Sequence, residues 1–240
     1  MALSLMKRLM KAVWNNVEIM EGNWDNNNET RHNSMKKTYL MEPMKRLEQL
    51  DDYDYMLYKL LFHGAATFSK EKPASLITLK NTNKRLDALS LWDQYKDQIG
   101  KTTKTSYYEM KRDENHVVIL FFHNRLLEAI IENSDNIEFL QRFGYNSKMN
   151  LIEVLQHMSS RFIDQCPHEV GLFLGYHLED VVEYIKETDG KGIVVGYWKV
   201  YTKAEEAISK FKRYDQARAK VTEGILSGLS PMKTALILVS

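Results

Sequence analysis

Six side chains that can carry chemistry fall within the fifteen residues from Cys166 to Asp180. A histidine beside a carboxylate can act as a general base or as a metal ligand, and His168 stands directly before Glu169. This segment is therefore the first candidate for a site. Its members are Cys166, His168, Glu169, His177, Glu179 and Asp180.

Each of these residues also has a purely structural interpretation. His168 can hydrogen-bond to a backbone carbonyl, and Glu169 can pair with a basic residue. Glu179 and Asp180 stand at the start of a predicted helix, where the helix dipole favours acids without any function. The structural interpretation is preferred for His177, Glu179 and Asp180, whereas both interpretations stay open for His168 and Glu169.

Four segments of the chain carry distinctive runs, namely YKLLFHGAAT at 58–67, KPASL at 72–76, PHEVGLFLGYHLEDV at 167–181 and GYWKVY at 196–201. Together they resemble an uncharacterised family of anaerobic, mostly clostridial bacteria, classed as domain of unknown function number 3793 and marked by a Pro-His-Glu-Ile-Gly core. The resemblance extends in matching order from about Tyr53 to the C-terminal helix. It implies no particular activity, because the family has none established.

The resemblance also includes a departure that bears on catalysis. The family's first motif has a His-Cys-Ala-Pro-Thr core, which would place a cysteine before the later His-Glu pair, in the chain order of papain-like enzymes. This chain has Gly64 and Ala66 in that motif, so it has no thiol there. Thr67 and Ser75 would be weak substitutes for a thiol. The resemblance therefore implies a binding role more readily than catalysis.

The first functional hypothesis is a small-molecule or metal-binding protein of the bacterial cytoplasm. His63 lies in the first motif, and His168 and Glu169 lie in the third. The three are predicted to converge on one pocket. Imidazole and carboxylate ligands suit zinc or ferrous iron, so a divalent metal is the cofactor that such a site would take.

Two hypotheses from other classes stay open. In one, the chain is a hydrolase or transferase, active or inactive in this member, with His168 as general base and Glu169 orienting it. In the other, it is a protein–protein interaction module in which Tyr197, Trp198 and Tyr201 anchor a partner. The competing interpretation of that aromatic segment is a strand packed under the last helix.

Several common motifs fail in this chain. Gly100-Lys101-Thr102 matches the end of a P-loop, but the required earlier glycine would fall at Tyr95. A zinc-protease helix would need a second histidine at Leu172. No Gly-x-Ser-x-Gly elbow and no Gly-x-Gly-x-x-Gly fingerprint occurs. The chain therefore lacks the motifs that mark serine hydrolases of this type and dinucleotide-binding proteins.

Composition narrows the class further. The 240 residues are 44% hydrophobic, which is enough for a sizeable core, and their charges nearly cancel at +1. We therefore expect no nucleic-acid partner. The single cysteine excludes an internal disulfide and fits a reducing compartment. No apolar run approaches the roughly 18 residues of a membrane span, so a cytoplasmic location is expected.

Residues 1–34 are predicted to form an N-terminal appendage, and residues 35–240 a single domain. The appendage begins with an amphipathic helix and continues as an asparagine-rich linker. The helix can dock on the chain's own core, contact a protein partner or a membrane surface through residues 1–20, or add little if Met35 initiates the native protein. Its apolar face consists of Met6, Met10, Val13, Trp14 and Val17.

The main domain is predicted to be α/β, with α+β as the alternative. Strand-like runs stand at 75–79, 105–111, 117–122, 170–174 and 193–195. The last two flank a helix, which is the βαβ pattern. We therefore predict a single mixed sheet of about five strands covered by helices. Asn150 with Glu153 and Thr202 with Glu205 are predicted to form capping boxes at two helix starts.

Overall fold

The computed structural model describes residues 17–19, 47, 49–81, 86–163, 166–186 and 192–240. Its main sheet contains four strands, β1 (Val17–Ile19), β2 (Ala74–Lys80), β3 (Ser106–Arg112) and β4 (His116–Phe122). Every pairing is antiparallel, and the strands lie in the order β1-β2-β4-β3. Among the described residues a separate antiparallel hairpin joins β5 (Val194–Val195) to β6 (Lys199–Val200).

The described residues also form nine helices, most of which pack on the main sheet. In chain order they are α1 (Asp52–Phe68), α2 (Ala88–Thr103), α3 (Asn124–Glu132), α4 (Ser134–Gln141), α5 (Leu151–Ser160), α6 (Val170–Phe173), α7 (Leu178–Ile185), α8 (Ala204–Leu226) and α9 (Pro231–Leu238).

The hairpin of β3 and β4 forms where the sequence predicts it. The Asp113 carboxylate accepts hydrogen bonds from the backbone N–H groups of Asn115 and His116, which fixes the turn. Six of the seven residues of β4 are buried, because helices cover both faces of this strand. The predicted central position of β4 is therefore confirmed.

The sheet divides the interior into two cores because successive side chains of a strand point to opposite faces. Val117, Ile119 and Phe121 of β4 pack with α1, α2 and parts of α8 and α9. Val118, Leu120 and Phe122 pack instead with α3 to α7. A third, smaller core lies between the β5–β6 hairpin and α8.

The predicted single mixed sheet and the βαβ unit are wrong. Val170 to Phe173 form one turn of helix instead of a strand, and the N–H of Val170 bonds to the carbonyl of Pro167. The chain then continues into helix α7. A short apolar run has no periodicity that separates a buried strand from a buried helical turn. Strand pairing in both sheets is antiparallel, which favours the α+β alternative.

The two predicted capping boxes have different outcomes. Asn150 and Glu153 bond reciprocally to each other's backbone N–H groups at the start of α5, so this box is confirmed. The box predicted for Thr202 and Glu205 is wrong, because Lys203 occupies the N-cap position of α8 without a side-chain cap. The Thr202 hydroxyl bonds to Asp180 instead.

The N-terminal appendage lies mostly outside the described residues. Val17, predicted on the amphipathic helix, belongs to β1, which pairs with β2 from Val17 opposite Leu79 to Ile19 opposite Ile77. The remainder of the predicted helix and the linker lie outside the described ranges, and the boundary at residue 34 stays a prediction. Within the described ranges, no helix combines the length and apolar character needed to cross a membrane.

The capping box of α5 gives a direct stability test. Asn150→Ala should lower the free energy of unfolding by about 1 kcal/mol, because the N–H of Glu153 loses its acceptor. Asn150→Asp keeps an acceptor at the same place and should remain close to wild type. Urea unfolding followed by circular dichroism measures both, and equal losses in the two variants would contradict the capping role.

Candidate binding site

Glu169 and its neighbours form a buried ion pair. Glu169 is 1% exposed, and its carboxylate accepts a hydrogen bond from Nε of Arg161. His168 is exposed, with its ring edge-on to Tyr184 at 5.3 Å between centroids. Burial and the Glu169 carboxylate raise the pKa of Cys166 to about 12, so this thiol is protonated at neutral pH. The pairing of Glu169 is the one that its structural interpretation predicts.

His63 lies in a different layer of the protein. It belongs to α1, which covers one face of the sheet, whereas His168 and Glu169 precede α6 on the other face. Among the described residues, no three His, Cys, Asp or Glu side chains are grouped as a metal ion would require. The structure therefore does not bring His63 together with His168 and Glu169.

In the first motif, Gly64 stands where the family resemblance implies a cysteine, and the Phe68 ring packs against it. A side chain at Gly64 would place its Cβ 2.4 Å from the Phe68 ring, so a cysteine could enter only if this ring moved. The hydroxyls of Thr67 and Ser75 are buried and bond to each other at 2.7 Å. The substitutes for a thiol are therefore engaged with one another.

The aromatic fourth motif is not exposed. Tyr197 and Trp198 are buried against α8, and the Tyr197 hydroxyl donates to Asp215 of that helix at 2.9 Å. Tyr201 is half-buried. The prediction that these side chains anchor a partner is therefore wrong for Tyr197 and Trp198. The competing interpretation, a short strand packed under a C-terminal helix, describes this segment.

One buried carboxylate assembles this region. Asp180 of α7 is 2% exposed and accepts hydrogen bonds from Nε1 of Trp198, from the backbone N–H groups of Tyr201 and Thr202, and from the Thr202 hydroxyl, at 2.8 to 3.3 Å. All these partners are donors, which suits an ionised carboxylate. Asp180 therefore ties the β5–β6 hairpin and the start of α8 to α7.

Close ring contacts complete the assembly. Gly175 has φ +83° and lies on the Pro73 ring, where a Cβ would meet the proline Cδ at 2.8 Å. The ring of Tyr176 stacks on Trp198 with 4.7 Å between centroids. Lys72 is buried, with Nζ 5.9 Å from the centroid of the Tyr176 ring. Residues of the second, third and fourth motifs therefore meet at one place.

Lys210 of α8 brings a cation to this place. Its ammonium donates a hydrogen bond to the Gly175 carbonyl at 3.1 Å and lies 5.9 Å from the centroid of Trp198. Burial lowers the pKa of Lys210, because desolvation disfavours the charged form. The hydrogen bond goes to a neutral carbonyl and leaves two of the three ammonium hydrogens for another acceptor.

His177 contributes a polar atom without a partner. Its side chain is 9% exposed, and among the described residues its buried Nδ1 has no hydrogen-bond partner. Its Nε2 lies 3.8 Å from a carboxylate oxygen of Glu206. Burial, followed by the charge of Lys210, lowers the pKa of His177. An unsatisfied buried nitrogen is costly, so this Nδ1 is a candidate contact for a bound group.

We call this group the Gly175 site and define it by Lys72, Gly175, Tyr176, His177 and Lys210. It presents the Lys210 ammonium and an imidazole nitrogen beside stacked rings. Sequence analysis preferred the structural interpretation for His177, and it gave Lys210 no role in a small-molecule site. No sequence signal reveals Lys210, because the contact with Gly175 joins residues 35 positions apart.

Comparison with protein families agrees with the sequence resemblance. A family model described as "Protein of unknown function (DUF3793)" matches residues 60–235. The match includes every residue of the Gly175 site. No curated protein and no solved structure matches the chain.

The role of Asp180 can be tested by a double-mutant cycle. Asp180→Asn places an amide NH2 against a donor, and we expect it to reduce the free energy of unfolding by about 2 kcal/mol. Trp198→Phe removes the indole N–H. In the double variant the NH2 group of the new asparagine can point to the place that the indole N–H has left. The loss of unfolding free energy in the double variant should therefore be at least about 1 kcal/mol smaller than the sum of the two single losses. Additive losses in denaturant unfolding would contradict the assignment.

Burial of His63 predicts a loss of stability in acid. Burial first, and then the charges of Arg218 and Lys59, lower its pKa well below the ordinary value. At His63 the unfolded chain gains a proton below about pH 6.5 and the folded protein does not, so this one residue should lower stability by up to about 1.4 kcal/mol per pH unit as the pH falls. His63→Gln should flatten this slope between pH 6.5 and 5, as measured by urea unfolding.

His168→Gln is the matched control for that measurement, because it removes an exposed imidazole. We expect the slope of His63→Gln to be flatter than that of His168→Gln. An unchanged slope in His63→Gln would show that another group controls the acid response.

Proposed function

Because the chain belongs to the DUF3793 family, described as proteins of unknown function, we propose its function from its own geometry. It is a small-molecule-binding protein that takes a small organic carboxylate at the Gly175 site. The observation that carries the proposal is the buried Nδ1 of His177, which has no hydrogen-bond partner among the described residues. The charge of Lys210 is one of the causes, after burial, that lower the pKa of His177.

The chemistry of the Gly175 site favours a carboxylate. The Lys210 ammonium can donate to one carboxylate oxygen while Nδ1–H of His177 donates to the other, and charge-assisted hydrogen bonds of this kind are strong. Asp180 does not compete for Lys210 as a hydrogen-bond acceptor in the described contacts, because its oxygens are engaged by Trp198, Tyr201 and Thr202. A bound anion would also stabilise the charged form of Lys210, which burial disfavours.

A cation suits the same place poorly. The Lys210 ammonium repels metal ions, and the Gly175 carbonyl is already an acceptor for Lys210. Metal binding by His63, His168 and Glu169 remains a separate hypothesis, but the separation of α1 from α6 by the sheet gives it no support. The hydrolase or transferase alternative has no observation in its favour either, since Glu169 is bonded to Arg161.

A ligand panel tests the proposal. Wild-type protein is screened by differential scanning fluorimetry against simple mono-, di- and aromatic carboxylic acids at millimolar concentration, and each hit is measured by calorimetry. We expect Lys210→Met to weaken binding of a hit by about tenfold or more, because the ligand loses its charged donor. Affinity should also decrease with added salt.

Lys233→Met removes an exposed cation on α9 and should leave affinity unchanged. The proposal fails if no carboxylic acid raises the melting temperature of the wild-type protein. It also fails if every hit binds Lys210→Met and His177→Asn as tightly as wild type.

A further inference from the structure

The two ring nitrogens of His177 have different surroundings. Nε2 lies 3.8 Å from a carboxylate oxygen of Glu206, whereas the buried Nδ1 has no hydrogen-bond partner among the described residues. Each ring nitrogen of an imidazole makes its own contact, and the contact at one decides which atom carries the hydrogen. Glu206 therefore faces Nε2, and the carboxylate proposed as ligand would face Nδ1.

Helix α8 presents Glu206 and Lys210 on one face, because the two residues are four positions apart. Burial lowers the pKa of both Lys210 and His177, and the Glu206 carboxylate acts on both in the opposite direction. The Glu206 side chain is 67% exposed, so its carboxylate has room to turn toward Nε2. The charge of Glu206 therefore reaches both polar groups of the Gly175 site.

The other charged groups around His177 are engaged elsewhere. Asp180 of α7 favours the charged form of His177, but its oxygens already accept hydrogen bonds from Trp198 and from two backbone N–H groups. Lys203, just before α8, disfavours that form and pairs with Glu179 at 2.6 Å. The hairpin contributes the uncharged ring of Trp198, 6.1 Å from that of His177 between centroids.

The protonation state of His177 decides whether it can contact two carboxylates. A neutral imidazole has one N–H group. If Nε2 carries the hydrogen, Nδ1 is an acceptor and cannot donate to a ligand. If Nδ1 carries it, the bare Nε2 faces the Glu206 carboxylate, and two acceptors repel each other. Only the imidazolium donates at both nitrogens.

We propose that Glu206 is a positioning residue of the Gly175 site, which holds Nε2–H of a protonated His177 so that Nδ1–H donates to a bound carboxylate, with uptake of a proton from solvent. This role rests on the carboxylate-binding function proposed above and adds the protonation state in which the site binds. Because the ligand prefers the protonated ring, affinity should be highest in mild acid. It should fall as the pH rises through the pKa that His177 has in the complex.

Nuclear magnetic resonance of the His177 ring in the full-length protein tests this coupling. The ring is titrated with and without acetate, succinate or benzoate, one acid from each class of the ligand panel, and His177→Asn assigns its signal. A bound probe should raise the pKa of His177 by about one unit, which corresponds to about tenfold tighter binding to the protonated form. Calorimetry should give an affinity about tenfold weaker at pH 8 than at pH 6.

Glu206→Gln should uncouple binding from protonation. The new amide NH2 can donate to a bare Nε2, so a neutral ring with its hydrogen on Nδ1 can bind the probe. The affinity of this variant should therefore change less than about threefold over the same pH range. Glu205→Gln is the matched control, because Glu205 is exposed and adjacent residues of a helix do not face the same way. It should keep the wild-type pH dependence.

The outcomes separate this role from the binding function. If a probe binds but leaves the pKa of His177 unchanged, the role of Glu206 is overturned and the carboxylate function stands. The same holds if Glu206→Gln keeps the full pH dependence of the wild-type protein. If no acid of the panel binds the wild-type protein, both are overturned together.

Discussion

The buried carboxylate of Asp180 is the interaction on which the C-terminal third of the molecule depends. The hairpin of β5 and β6 is too short to be stable alone, and its position is set by hydrogen bonds from Trp198 and Tyr201 to this one side chain. The bond from the Thr202 N–H then fixes where α8 begins. Because α8 packs along α1, the same carboxylate indirectly orients the helices on one face of the sheet.

The main sheet imposes a second constraint, because it separates the residues on its two faces into different cores. Its two long central strands, β2 and β4, are buried on both faces, so residues before α6 and residues on α1 face different cores. Two histidines in conspicuous motifs therefore do not imply one site. Glu169 has its charge balanced locally by Arg161, as a fully buried carboxylate requires.

The sequence predicts local features of the fold better than its long-range ones. The β3–β4 hairpin and the Asn150 cap depend on residues two to three positions apart, and both are present. Val170 to Phe173 could not be assigned, because four apolar residues fit a strand or a helical turn equally well. Asp180 was interpreted as a first-turn acid, since nothing local distinguishes it from Glu179, which is exposed and pairs with Lys203. The difference arises from Trp198, eighteen residues away.

The same distinction separates packing from chemistry within the motifs. Gly175 and Gly196 are explained by the rings of Pro73 and Phe211, which leave no space for a Cβ. Packing alone does not explain a half-buried Lys210 beside a His177 nitrogen without a described partner, because an apolar pair at these positions would avoid the cost of desolvating both polar groups. A fold that keeps such a pair next to the Asp180 hydrogen-bond network holds the pair in a fixed geometry. That rigid support and the one polar atom without a described partner are the basis of the proposed carboxylate site.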